Sequence, residues 1–164
     1  MLVNGQISDN KMDTTKARTI LYIEDDPVVL TAYRHRLERE GFGVESAKDG
    51  LEAMKILLRL VPDLVVLDLM LPKFDGAEVL KFMQANPRLK TVPVIILSTN
   101  SIVDAEEEYV LENANRRFIK DQCTFPMLLQ AVERLLAEAP AKDRVLMNGQ
   151  VDNGLPKNLE KTAA

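Results

Sequence analysis

Residues 62–76 read PDLVVLDLMLPKFDG, a short apolar run that ends in an acid and leads into a helix start. Four of the five residues in the run 63–67 are apolar, which is typical of a central strand of a parallel sheet covered by helices on both faces. The pattern DGAE at 75–78 is typical of a capping box, in which the acid three positions on reaches back to the amide of the cap. The segment therefore predicts a buried strand, a loop that begins at Asp68, and a helix over about residues 76–86.

Short apolar runs alternate with longer stretches of helical period from about residue 18 to residue 138. The other candidate strands are RTILYI (18–23), GVES (43–46), VPVIIL (92–97) and RRFI (116–119). The runs at 19–23, 63–67 and 93–97 are nearly all apolar and predict the central strands, while the weaker second and fifth runs predict the edges. Repeated strand and helix units of this kind predict an α/β domain with a doubly wound, five-stranded parallel sheet and helices on both faces.

Helix starts and stops are marked by specific residues. Asp26-Pro27 offers a side-chain acceptor and then a proline that is tolerated in the first turn, and Gly41 is a typical helix end. The pattern DGLE at 49–52 repeats the capping box seen at 75–78. The predicted helices cover about residues 27–40, 50–60, 76–86 and 103–113, and a fifth begins at Thr124.

The composition is that of a globular domain with a mildly acidic balance. The chain has 164 residues, 46% hydrophobic and 28% charged, a net charge of −4 and a pI of about 5.1. This balance argues against direct binding to nucleic acid, which needs a basic surface. The single cysteine, Cys123, can form neither an intrachain disulfide nor a zinc cluster. No stretch has the apolar length of a signal peptide or a membrane span, so we expect a cytoplasmic protein that does not bind a membrane.

The two ends of the chain show no sustained periodicity. We expect a flexible N-terminal extension at 1–17, one domain at 18–138, and a flexible C-terminal tail at 139–164 that is too short for a second core. The hexapeptide LVNGQI (2–7) resembles LMNGQV (146–151). Chance similarity and a pair of small turns that pack on the domain or on a partner both remain open.

Polar side chains follow four of the predicted strands. In an open parallel sheet, ligands bind outside the carboxyl ends of the strands. Those ends carry Glu24-Asp25-Asp26, Asp68, Ser98-Thr99 and Lys120. Carboxylates gathered in one place repel one another unless a cation neutralises them, and Mg²⁺ takes such oxygen ligands. Glu24, Asp25 and Asp68 therefore predict a Mg²⁺ site, with Mn²⁺ as an alternative ion.

The same cluster has the groups needed for phosphoryl transfer. A carboxylate can act as the nucleophile and form an aspartyl phosphate, and Asp68 is the candidate because the backbone of a central strand fixes it. The loop after Asp68 can bring a main-chain carbonyl to the metal. Lys120 and the Ser98 hydroxyl can meet the charge on the phosphoryl oxygens. Asp26 and Asp75 are better explained as helix caps, and we leave them out of the site.

Together these segments resemble the receiver domains of two-component response regulators, in outline the single-domain chemotaxis-regulator type. The resemblance covers about residues 18–138 and implies a flavodoxin-like fold with strand order 2-1-3-4-5. The segments that carry it, in chain order, are ILYIEDDP (20–27), PDLVVLDLMLPKFDG (62–76), VPVIILST (92–99) and FIK (118–120).

The resemblance also implies a role for each site residue. Glu24 and Asp25 are the acidic pair, and Asp68 is the phosphoacceptor and a metal ligand. The Met70 main-chain carbonyl is a further metal ligand. Ser98 is the switch hydroxyl, and Lys120 is the lysine that binds the phosphate.

The function implied is that of a receiver with no output domain. It takes phosphate from a sensor histidine kinase or a phosphotransfer protein and signals to a downstream protein that the sequence does not name. Such a protein is a switch with self-phosphorylation and autodephosphorylation chemistry, and not an enzyme in the usual sense. It is expected to be a monomer, or a homodimer through the face formed by the predicted fourth and fifth helices.

Two alternatives belong to other classes of function. A Mg²⁺-dependent phosphohydrolase would use the same aspartyl phosphate, but the short loops leave no cap insertion to form a substrate pocket. A scaffold that binds partners without phosphorylation would not need the acid pair, Asp68 and Lys120.

Two positions depart from the family pattern. The usual aromatic three residues before the lysine is replaced by Arg117, and Phe118 should lie on the opposite face of the strand. We expect the Arg117 head to lie in water and the 98–120 face to be a polar recognition surface. The usual proline after the lysine is replaced by Asp121, so the Lys120-Asp121 peptide should be trans, because a cis bond without proline costs about 2.5–4 kcal/mol.

Overall fold

The structure is a computed structural model that describes residues 17–99, 109 and 112–139. In chain order its elements are β1 (Thr19–Ile23), α1 (Pro27–Arg39), β2 (Gly43–Ala47), α2 (Gly50–Arg59), β3 (Leu64–Asp68), α3 (Gly76–Ala85), β4 (Val94–Ser98), β5 (Arg116–Ile119), a 3₁₀ turn (Lys120–Gln122) and α4 (Phe125–Glu138). All five predicted strands are present, and α4 is the helix predicted to begin at Thr124.

The helix predicted at 103–113 falls mostly outside the described residues. Of that range Tyr109, Glu112 and Asn113 are described, and all three are helical. The predicted flexible ends also fall almost entirely outside the described residues.

The five strands form one parallel sheet in the order β2-β1-β3-β4-β5, which confirms the predicted fold class. Every residue of β1, β3 and β4 is buried, as their apolar sequences predicted. The more polar β2 and β5 are the edge strands and are only partly buried. Because all strands run in one direction, their carboxyl ends lie along a single edge of the sheet.

Apolar side chains form a core on each face of the sheet. Successive residues of a strand point to opposite faces, so Leu21 and Val65 belong to one core, whereas Tyr22 and Val66 belong to the other. Side chains of α2 and α3 complete the first core, and side chains of α1 and α4 complete the second. No helix within the described part of the chain combines the length and hydrophobicity needed to cross a bilayer.

Helix α1 begins at the predicted Pro27 and ends at Arg39, one residue before the predicted end. The Asp26 carboxylate accepts hydrogen bonds from the amides of Val28 and Val29 at 2.8 and 3.2 Å. Gly41, just past the end of α1, has a φ of 91°, a left-handed conformation that glycine adopts without a steric cost. Asp26 therefore acts as a cap.

The predicted capping box is complete in α3 and half formed in α2. At α3, Asp75 accepts from the Glu78 amide at 2.9 Å and the Glu78 carboxylate accepts from the Asp75 amide at 3.0 Å. At α2, Asp49 accepts from the Glu52 amide at 2.8 Å, but the Glu52 carboxylate accepts from the amide of Lys48. The prediction of a reciprocal box at Asp49 is wrong, because Glu52 reaches one residue further along the preceding loop.

Gly50, the first residue of α2, packs directly on the backbone of the β3–α3 loop. A Cβ atom at this position would lie 2.0 Å from the carbonyl oxygen of Phe74, and both Gly50 and Phe74 are buried. The helix start and the loop are therefore in contact with no room for a side chain.

We expect Gly50→Ala to lower the free energy of unfolding by about 1–3 kcal/mol, because the added methyl group must displace backbone. Urea unfolding measures the change. Lys55→Ala, at an exposed position of the same helix, should shift the unfolding midpoint little. A Gly50→Ala protein as stable as the Lys55→Ala protein would show that the β3–α3 loop can move away from the methyl group with no loss in the free energy of unfolding.

Candidate functional site

Residues from three strand ends meet at the carboxyl edge of the sheet. The Lys120 Nζ, at the end of β5, lies 2.6 Å from Asp68 Oδ2 and 2.7 Å from Glu24 Oε2. Glu24 follows β1 and Asp68 ends β3, and their exposed fractions are 0% and 1%. The structure thus brings together three residues that the sequence predicted to share a site, although 96 positions separate Glu24 from Lys120.

The three predicted metal ligands with acidic side chains also converge. One carboxylate oxygen from each of Glu24, Asp25 and Asp68 lies within 4.8 Å of the others, with Asp25 exposed and the other two buried. The cluster holds three carboxylates and Lys120 pairs with two of them, so negative charge is in excess. The donor set therefore fits a hard divalent cation such as Mg²⁺, which takes oxygen ligands and keeps water at its open positions.

Burial and ion pairing have opposite effects on the charged groups of the site. Burial raises the pKa of Glu24 above its usual range, even though the hydrogen bond and the charge of Lys120 act to lower it. Burial alone would lower the pKa of Lys120, but the hydrogen bonds to Asp68 and Glu24 outweigh it and raise that pKa. The ammonium is therefore held in its charged form between two buried acids.

Asp68 is fixed by contacts to both of its carboxylate oxygens. Oδ2 accepts from Lys120 at 2.6 Å, and Oδ1 accepts from the backbone amide of Met70 at 3.0 Å. A Cβ at Gly76 would lie 2.4 Å from the main-chain carbonyl oxygen of Asp68, so the first residue of α3 packs on the Asp68 backbone. The carboxylate is held in one orientation at the end of β3.

The other two predicted site residues lie near Asp68, one on the neighbouring strand and one two residues further along the chain. Ser98 ends the neighbouring strand β4 and is 2% exposed, one residue beyond Leu97, the register partner of Asp68. Met70 lies in the loop that follows β3 and is 66% exposed. The roles of the Ser98 hydroxyl and of the Met70 carbonyl stay predictions.

A cavity of about 220 Å³ adjoins the site between α1 and the 3₁₀ turn. Tyr22 lines it from β1, Glu24 and Lys120 line it from just past the ends of β1 and β5, and Val29 and Tyr33 line it from α1. Burial raises the pKa of Tyr22, whose ring stacks on Tyr33 with centroids 5.6 Å apart. This cavity was not predictable from the sequence, because it depends on how α1 packs over β1.

The end of β5 confirms two expectations and corrects a third. Arg117 is in register with Ile96 and Phe118 with Leu97, so the two side chains lie on opposite faces, and Phe118 packs against the second core. No peptide bond in the described part of the chain is cis, so the bond from Lys120 to Asp121 is trans. The expectation that the Arg117 head lies in water is corrected at one atom: the residue is half-buried and its Nε is buried.

Two sets of contacts that shape the loop after Asp68 were not predicted from the sequence. Gly50 and Gly76 entered only as parts of capping patterns, whereas each permits a close backbone approach. Lys73 Nζ and Asp49 Oδ2 form an ion pair at 2.7 Å, although the two residues are 24 positions apart in the sequence. No helical or strand period relates two loop residues that are so far apart along the chain. The Asp-Gly pairs at the starts of α2 and α3 were the sequence signal that could have pointed to these close backbone contacts.

Comparison with known proteins agrees with the fold and the site. The family model of the response regulator receiver domain matches residues 20–133. The chain therefore belongs to the receiver domain family of two-component response regulators, as its sequence segments indicated. Members of this family act as signalling switches.

Two curated relatives differ in how much of their length is matched. The polar-differentiation response regulator DivK of Brucella anthropi is 25% identical over 122 residues, which are 74% of this chain and 98% of DivK. The DNA-binding dual master transcriptional regulator RpaA of Synechocystis is 39% identical over 79 residues, which are 48% of this chain. The matched region is 33% of RpaA, so this chain spans about a third of that protein's length.

A solved structure provides a similar receiver with a metal. It is the receiver domain of a sensor histidine kinase from Pseudomonas aeruginosa, with a magnesium ion coordinated in the active site cleft. The two chains are 26% identical, with a TM-score of 0.66, and the match covers 74% of this chain and 98% of that domain.

Proposed function

We propose that this receiver accepts a phosphoryl group on Asp68 in a Mg²⁺-dependent phosphorelay and signals through contacts with another protein. The observation that carries the proposal is the buried Asp68 carboxylate, held by Lys120 beside a cluster of two further acids. The phosphoryl donor is a histidine of a sensor histidine kinase or of a phosphotransfer protein.

In the transfer step a carboxylate oxygen of Asp68 forms a bond to phosphorus as the bond from phosphorus to the donor's imidazole nitrogen breaks. The nitrogen keeps the electron pair of the broken bond. Lys120 already contacts the acceptor carboxylate and is placed to balance charge on the phosphoryl oxygens, and Ser98 offers a hydroxyl to the same group. Attack of water on the phosphorus of the aspartyl phosphate later restores the carboxylate and releases inorganic phosphate.

Glu24, Asp25, Asp68 and the Met70 main-chain carbonyl would hold the metal ion. Mg²⁺, or Mn²⁺ in its place, supplies charge neutralisation between the acceptor and the phosphoryl oxygens when it is bound. Buried Glu24 and exposed Asp25 would contact it from the end of β1.

The setting of the switch follows from the same proposal. The receiver domain covers 18–138. The protein works in the cytoplasm, without direct contact to nucleic acid or membrane. Its partners are the phosphoryl donor and a downstream protein, and it is a monomer or a homodimer through the face of the predicted 103–113 helix and α4.

Incubation with a small phosphodonor and Mg²⁺, followed by intact-mass measurement, tests the proposal. A single acid-labile phosphoryl adduct is the expected result. Rapid turnover of varied phosphoesters would favour a phosphohydrolase, and no adduct under any donor would favour a scaffold that binds without phosphorylation.

We expect Asp25→Asn to weaken Mg²⁺ binding at least about tenfold and to slow phosphoryl uptake without removing the acceptor, because one anionic ligand is lost. Titration calorimetry measures the affinity. Asp26→Asn makes the same change at the next residue, where asparagine is an equally good helix cap, and should stay near the wild-type affinity. Equal losses of Mg²⁺ affinity in both variants would mean that Asp25 acts through its negative charge and not as a metal ligand.

A further inference from the structure

The loop between Asp68 and α3 is tied to α2 by a buried acid. Lys73 Nζ lies 2.7 Å from Asp49 Oδ2, and the Asp49 side chain is 5% exposed. The other oxygen of this carboxylate accepts from the Glu52 amide at 2.8 Å, at the start of α2. One acid therefore caps a helix and holds a loop at the same time.

The backbone at Lys73 is in a conformation that does not favour lysine. Its φ is 68°, and it is the one residue other than glycine with a positive φ in the described part of the chain. Glycine would adopt this conformation without the steric cost of a Cβ. The side chain at this position makes a contact that glycine could not make, the ion pair with Asp49.

A second contact lies directly beside the ion pair. The backbone of Gly50 packs on the carbonyl oxygen of Phe74, so two consecutive residues of α2's start hold two consecutive residues of the loop. We name residues 49–50 and 73–74 the loop clamp. The same loop carries the Met70 amide that donates to Asp68 Oδ1. At its far end the Gly76 amide donates to the Leu69 carbonyl at 2.9 Å.

We propose that the Asp49–Lys73 ion pair positions the loop of residues 69–75, so that the loop backbone is set for cation binding next to Asp68. This inference rests on the proposed function. Lys73 and Asp49 are positioning residues, since their ion pair is with each other and not with Glu24, Asp25 or Asp68. Without the pair, the clamp keeps only its backbone contact and the loop samples other conformations.

The Asp49–Lys73 pair could affect cation binding through its charges alone or by positioning the loop, and the two explanations predict different results. Removing the positive charge of Lys73 should strengthen binding of a cation nearby, and removing the negative charge of Asp49 should weaken it. If the pair acts by positioning the loop, both changes weaken binding, and the double variant is no worse than either single variant.

The test compares Lys73→Gln, Asp49→Asn and their double variant with Lys73→Arg, which keeps the charge. Asparagine keeps the helix cap at position 49. Lys55→Gln, at an exposed position of α2, is the matched control. Titration calorimetry gives the Mg²⁺ affinity, amide hydrogen exchange of 69–75 reports on the metal-free loop, and urea unfolding reports on stability.

Both single variants and the double variant should bind Mg²⁺ about 3–10-fold more weakly, less than the loss seen when a direct neighbour of a metal ligand is removed. Their amides at 69–75 should exchange faster in the metal-free protein, while Lys73→Arg and Lys55→Gln remain near wild type. Opposite changes in the two single variants, or wild-type affinity in both, would overturn the inference.

The failure of this inference can be told from failure of the proposed function. If the wild-type protein binds Mg²⁺ and takes up phosphate but Lys73→Gln behaves like it, only the positioning role is wrong. If the wild-type protein neither binds Mg²⁺ nor takes up phosphate, the proposed function is wrong and the inference falls with it.

Discussion

Asp68→Asn should take up no phosphoryl group from a small phosphodonor and Mg²⁺, while it folds as the wild-type protein does. The amide has nearly the shape of the carboxylate, but it is not a nucleophile under these conditions and is a poorer metal ligand. Asparagine can still accept the hydrogen bond from the Met70 amide, and Lys120 retains its contact with Glu24. The loss should therefore be one of chemistry and not of structure.

Intact-mass measurement detects the adduct, and urea unfolding checks the fold. Asp121→Asn is a suitable control, because it makes the same change at an exposed acid next to Lys120 and should be labelled like wild type. Labelling of Asp68→Asn at the wild-type level would place the acceptor on another residue, with Asp25 the first to examine.

The sheet was predictable because burial leaves a direct trace in the sequence. The runs that became β1, β3 and β4 are apolar at nearly every position, and in the structure every residue of these strands is buried. The order of the strands came from the family resemblance, and the polar character of β2 and β5 independently indicated the edges. Whether a segment is a strand or a helix follows from its local sequence pattern. A parallel sheet then fixes that the carboxyl ends of all its strands lie along one edge.

The convergence of Glu24, Asp68 and Lys120 was predictable for the same reason. Residues at the carboxyl ends of neighbouring parallel strands meet whatever their separation along the chain, so no spacing rule was needed. The clamp was not predictable. Asp49 and Lys73 lie in two loops, and their distance depends on how α2 packs against α3, which no local pattern encodes.

The alternation of β5 predicted which face Arg117 occupies but not how deeply it lies. Face follows from the two-residue period of the strand, and register with Ile96 agrees with it. Depth depends on what covers that face, and Arg117 is half-buried. A charged residue in a sequence pattern therefore indicates where a side chain points, and the tertiary packing decides whether it reaches water.

Lys120→Met should lower the free energy of unfolding by about 3 kcal/mol in buffer without divalent cations, because it leaves two buried carboxylates without their counter-charge. The ammonium is 2.6 Å from Asp68 and 2.7 Å from Glu24, and both acids are almost completely buried. Phosphoryl uptake should fall as well, because the group that faces the phosphoryl oxygens is lost. Urea unfolding and intact mass measure the two effects.

Added Mg²⁺ should stabilise Lys120→Met more than it stabilises wild type, because a divalent cation at Glu24, Asp25 and Asp68 takes over part of the charge balance that the ammonium supplies.

Lys120→Arg keeps the positive charge and should regain most of the stability. Its planar guanidinium meets the acids with a different geometry, so phosphoryl uptake should stay reduced. That split between stability and uptake separates the two roles of Lys120. Equal stability of wild type and Lys120→Met without Mg²⁺ would show that the ammonium does not hold the two acids in the fold.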